Sequence, residues 1–166
     1  MSLFALVLFM GLAIFTQVTL LNFFPVFGVK PDLLLILVVL NAFHKGCREG
    51  ALAGFLGGLM ADLAVGSYIG MNALVLMAAG YMVGLVESKL YKDSTVIIVV
   101  LTFISSLFTQ FLTYILLSSM GVSIAPGVAM FRVVIPTAVY TAVLVPVFCR
   151  WFFRSNREGL IYNRKI

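Results

Sequence analysis

The stretch GFLGGLMADLAVGSYIGMNAL, residues 54–74, places one carboxylate, Asp62, and the glycines at 54, 57, 58, 66 and 70 in an otherwise apolar run. In a water-soluble helix each glycine costs about 1 kcal/mol relative to alanine. A buried carboxylate without partners costs several kcal/mol or changes its protonation. The pattern makes sense in a different solvent. Helices in lipid associate by close approach across small residues, because no hydrophobic force drives them together.

Composition identifies that solvent. The chain has 166 residues, 63% hydrophobic and 10% charged, with a mean hydropathy of +1.16. A soluble domain of this size leaves too many residues on its surface to bury so much apolar area. The sequence therefore reads as an all-α, polytopic membrane helix bundle. Its net charge of +5 does not indicate nucleic acid, because the basic residues gather in short gaps between apolar runs. Cys47 and Cys149 lie far apart, and both are expected on the reducing side as free thiols. The N-terminal run lacks a basic n-region and a small-x-small cleavage site before Gln17, so it reads as a retained span.

A helical span needs about 20 apolar residues. Leu3–Leu21, Gly50–Val65, Met71–Val86, Thr95–Leu117 and Met130–Phe153 qualify, and Asp32–Phe43 forms a shorter sixth run. Pro31 is expected in the first turn of that short helix, where its missing N–H costs nothing. Lys45 and Arg48, Lys89 and Lys92, and the basic residues from Arg150 onward fall on one side if there are six spans. Both termini are then cytoplasmic, and Lys30 is the exception. Five spans with an external N-terminus satisfy the rule as well. The chain divides into a bundle over residues 1–153 and a basic cytoplasmic tail over 154–166, which serves as an orientation anchor. Pro136 and Pro146 are expected to bend the last helix.

Gly50, Gly54 and Gly58 recur every fourth residue, Asp62 continues their row, and Gly80 and Gly84 repeat the spacing. Two readings stay open, internal packing of the bundle and a docking seam for a partner helix, and the first is preferred. Thr102, Ser105, Ser106, Thr109, Gln110 and Thr113 form a polar face on the fifth run. Interhelical hydrogen bonding is its default use, and a small wet cavity is the other. Asp62 falls about one turn from the outer surface, at the same depth as Arg132. Pairing with Arg132, capping backbone N–H groups in the turn GSYIG (residues 66–70) and snorkelling are all compatible with that position. A carrier role would place the carboxylate nearer the midplane. His44 lacks ligand-spaced partners. No nucleophile–base pair, phosphate-cradling loop or metal cluster is visible, so neither enzyme activity nor a cofactor is expected.

Gly54, Phe55, Gly57, Asp62, Leu63, Gly66, Ser67, Gly70, Ala73 and Leu74, with Pro31-Asp32 opening a short apolar helix, resemble the bacterial rod shape-determining protein MreD family. The resemblance implies a non-enzymatic component of the cytoplasmic (inner) membrane that regulates peptidoglycan elongation and rod shape. It implies partnership with the single-span protein MreC, and a shared complex with RodA, a class B penicillin-binding protein and MreB. It also implies a fold similar to the S components of energy-coupling-factor transporters. An alternative follows from that likeness: capture of a small vitamin or metabolite from outside. Gln17, Asn22, Tyr68, Asn72, Gln110 and Arg132 would then furnish the walls of a pocket.

Overall fold

The computed structural model describes residues 3–19, 31–66, 68–87, 95–121, 127 and 134–160. Six helices make up these residues, and no strand occurs among them: α1 (Leu3–Thr19), α2 (Leu33–Lys45), α3 (Cys47–Val65), α4 (Met71–Glu87), α5 (Thr95–Ser119) and α6 (Ile135–Leu160). Each corresponds to one of the apolar runs. α6 continues without interruption past position 153 into the basic segment.

The short helix is the centre of the molecule. Every residue from Leu33 to Phe43 is buried, and α2 packs against all five other helices. At 13 residues it is only about 20 Å long, and the longer helices enclose it. Its start differs from the expectation. Asp32, rather than a residue inside the first turn, is the N-cap, and its carboxylate accepts the Leu35 N–H at 3.0 Å. Pro31 therefore lies outside the helix, one residue before the cap, and is fully buried. The Asp32 N–H donates to Thr141 Oγ1 on α6 at 3.1 Å, tying the start of the central helix to the last helix. Asp32→Ala is expected to destabilise the bundle by about 1 kcal/mol, the usual effect of losing an N-cap side chain. Its apparent melting temperature in detergent should fall measurably below that of the parent chain.

The connection from α2 to α3 is a single residue. The Gly46 N–H donates to the Ala42 carbonyl at 2.9 Å, and its own carbonyl accepts from Gly50 at 2.9 Å, so one helix ends where the next begins. Its φ of 88° with ψ of −174° is a region open essentially to glycine alone. Asn41, buried on α2, donates from Nδ2 to the Glu49 carbonyl at 3.1 Å and fixes this corner from inside.

In the last helix Pro136 is the second α-helical residue, and the α-helix directly follows a π-helical residue, Val134. Pro146 lies inside the helix and leaves the Ala142 carbonyl without its usual donor.

The described polar side chains of the spans are drawn inside with the apolar core, and many large apolar side chains are left on the outside. Asn41, Asp62, Thr102, Ser105, Ser106, Thr109, Thr137 and Thr141 are buried, while Phe15, Val96 and Val143 are 65–70% exposed. α5 is the helix among the described residues that is long and apolar enough to cross a bilayer by length and composition, over Val96–Ser119. Only 28% of that window is buried, so it is not the core helix of a water-soluble fold. Val7–Gln17, Leu33–Lys45, Met71–Val86 and Ile135–Pro146 are shorter apolar helical segments. Length and composition alone thus support fewer crossings than the run-by-run reading.

Candidate functional site

α3 and α4 run antiparallel, and their glycine rows face each other. A Cβ added at Gly50 would lie 2.6 Å from the Gly80 carbonyl oxygen and 2.5 Å from Ala42 Cβ on α2. At Gly54 it would lie 2.8 Å from the Met77 nitrogen, and at Gly58 2.5 Å from both the Ala73 nitrogen and the Asn72 oxygen. From the other side, a Cβ at Gly80 would lie 2.6 Å from the Gly50 carbonyl carbon, and one at Gly84 2.6 Å from that of Gly46. Nearly all the atoms met are backbone, which has no rotamer to move into. Both rows therefore form one seam in which two helices touch main chain to main chain. At Gly50 and Gly80 a Cα hydrogen replaces the absent methyl and points at the opposing carbonyl, a weak attractive contact common between close helices. Gly57, which belongs to neither row, faces inward to Met10 and Leu34.

Asp62 ends this seam and explains the carboxylate in the apolar run. It is 2% exposed. Its Oδ2 accepts the N–H of Gly70 at 2.8 Å and of Ala73 at 3.2 Å, and its Oδ1 accepts that of Asn72 at 3.2 Å. Since α4 begins at Met71, these are donors that the first turn of a helix leaves without intrahelical partners. The Met71 N–H goes to the Tyr68 carbonyl at 3.3 Å. The last turn of α3 thus caps the first turn of α4, and the negative charge lies at the positive end of the α4 dipole. Asp62 also closes its own helix, because its carbonyl accepts the Gly66 N–H at 2.8 Å. Gly66 and Gly70 have φ of 74° and 98°, which lets the five-residue turn return the chain onto the carboxylate. Arg132, the expected ionic partner, lies outside the described residues.

The polar face of α5 differs from its expected use. Thr102 Oγ1 donates to the Ile98 carbonyl at 2.8 Å and Thr109 Oγ1 to the Ser106 carbonyl at 3.0 Å, both within α5. These hydroxyls satisfy themselves locally, the ordinary alternative for Ser and Thr inside an apolar helix. Ser106 Oγ is buried without a hydrogen-bond partner. Ser106→Ala should accordingly be neutral or stabilising by up to about 1 kcal/mol, since it removes an unmatched buried hydroxyl. An unchanged or raised melting temperature is the expected readout.

The remaining sites are dispersed. Pro31 and Asp32 belong to the entry of α2, where Asp32 is tied to Thr141 of α6. Of the residues considered as pocket walls, Tyr68 borders a recess of about 520 Å³ with Gly70, Met71, Leu116 and Met120. Asn72 contributes its backbone N–H to Asp62. Gln17 is on α1, which packs on α2 and α3, and Asn22 and Arg132 lie outside the described residues. Cys47 and Cys149 are free. Among the described residues, no group of three or more His, Cys, Asp or Glu is arranged to hold a metal ion.

Comparison with curated proteins and with solved structures gives no match. The family model described as rod shape-determining protein MreD matches residues 1–157 of the 166. Its span includes the glycine seam, the Asp62 cap and the central helix, and the chain belongs to the MreD family.

Proposed function

We propose that this chain is a non-enzymatic, multi-pass scaffold of the bacterial cytoplasmic membrane that binds MreC and regulates peptidoglycan synthesis at the rod-elongation complex. Family membership gives it a part in rod shape determination. In this reading all six helices cross or enter the bilayer, both termini are cytoplasmic, and RodA, a class B penicillin-binding protein and MreB belong to the same complex. The fold would then resemble an S component adapted to holding a protein instead of a vitamin.

The observation that carries the proposal is the α3–α4 seam. Main-chain contact along three turns, ended by a carboxylate that caps the next helix, fixes two helices in one arrangement. Such a unit suits presenting a constant surface to another helix, and it uses the chain's rare polar groups for architecture. The exposed apolar side chains support lipid as the surrounding medium, because in water a surface of that extent would aggregate. Charged residues near the ends of the apolar runs supply the orientation.

Purification of the tagged chain from membranes that also contain MreC tests the proposal. Recovery of MreC in fixed stoichiometry, with no small metabolite retained, is the expected result. A bound vitamin without MreC would replace the scaffold by a transport component.

A further inference from the structure

The Asp32–Thr141 hydrogen bond sets the register between α2 and α6. The two helices run in the same direction from that tie, since Phe148, further along α6, borders one recess with Leu33 and Leu37 of α2. Thirteen residues beyond the tie, α2 ends at Lys45 and α6 reaches Arg154. Each helix has then advanced about 20 Å, so the two cations lie at one depth. Arg48, in the first turn of α3, is exposed at the same end of the bundle.

α6 is longer than a bilayer core requires. Its 26 residues extend about 39 Å, against a hydrocarbon thickness of about 30 Å. Its apolar part ends before Arg150, so the surplus belongs to the end that carries Arg150, Arg154 and Arg157. These positions recur at intervals of four and three, and therefore share one face of the helix. Helical period puts that face on the side away from Thr141, Val145 and Cys149, which are buried. Lys45 pairs with Glu49 at 3.6 Å, so it marks the depth of the stripe rather than adding to it.

We propose that this arginine stripe binds the headgroup phosphates of anionic phospholipids in the leaflet at that end of the bundle. Arginine matches phosphate oxygens with a planar pair of N–H donors. Each basic residue beside an anionic leaflet is worth roughly a fivefold preference. The last helix thereby selects its lipid neighbours. The inference rests on the multi-pass reading above and names the lipid chemistry that its arginine-bearing end takes.

Mass spectrometry of the intact chain released from nanodiscs with equal parts phosphatidylglycerol and phosphatidylcholine tests it. Retention of phosphatidylglycerol in clear excess is the expected result. Changing Arg150, Arg154 and Arg157 together to Gln should lower that excess about tenfold or more, with heat resistance in detergent unchanged. The same three positions changed to Lys should keep most of it. Lys45→Gln, whose charge Glu49 already engages, should leave it within about twofold. Equal retention of both lipids by the unsubstituted chain would overturn the proposal, as would an unchanged excess in the Gln variant. A Gln variant that keeps its lipid preference and loses MreC would overturn it in favour of an acidic protein segment as the occupant. Release of the chain from membranes by alkaline carbonate would instead overturn the multi-pass reading itself.

Discussion

Gly54→Ala is expected to destabilise the bundle by about 3 kcal/mol, the upper range for forcing atoms into a packed interior. The sign is opposite to the helix-propensity effect, which favours alanine by about 1 kcal/mol at a helical glycine. Packing decides the outcome because the new methyl would meet the Leu76 and Met77 backbone, and α4 must move as a whole to admit it. Gly58→Ala should behave alike, since its methyl meets the Ala73 and Asn72 main chain. Gly11→Ala provides the internal contrast. A methyl there lies 3.6 Å from Met60 Cε, an ordinary contact with a flexible side-chain end, so propensity prevails and stability holds or rises. The readout is the fraction of monodisperse protein retained after heating in detergent. Equal retention by Gly54→Ala and Gly11→Ala would refute the seam. Gly54→Val, with two further carbons directed into α4, should leave little folded protein in the membrane.

The glycine rows also show how far the sequence can be read. Fourth-residue spacing identifies Gly50, Gly54 and Gly58 as one face, and Gly80 and Gly84 as another, because helical period alone decides which residues share a side. It does not decide what each face meets, so internal seam and external docking strip stay open until the antiparallel pairing is known. The first five apolar runs coincide with helices to within three residues for the same local reason, and the last helix runs seven residues past the end of its run at Phe153. The position of α2 is different. A 12-residue apolar run looks like a deficient span, and nothing local says that five longer helices enclose it. The α5 hydroxyls were legible as a face but not as self-bonded, since a threonine has the same spacing whether it reaches its own helix or the next.

Asp62→Leu should produce the second large effect, a loss of about 3 kcal/mol or more. Three backbone N–H groups would be left without acceptors in an apolar setting, and hydrogen bonds to a charged group contribute about 1.5–3 kcal/mol each without adding fully. Asp62→Asn separates acceptor geometry from charge. One oxygen remains to accept, whereas the amide nitrogen faces a donor, so an intermediate loss is expected. Hydrogen exchange distinguishes this from general loosening: protection should fall first at Gly70, Asn72 and Ala73 while the α2 amides stay protected. The cap already satisfies the carboxylate through the α4 backbone, so a cation need add little. In the cycle of Asp62→Asn with Arg132→Gln, a coupling within about 0.5 kcal/mol is therefore expected, the range seen for independent sites. A coupling of 2 kcal/mol or more, within the range for groups that share an interaction, would mean that Arg132 completes the cap. The α4 entry would then be an ion pair built on a helix terminus.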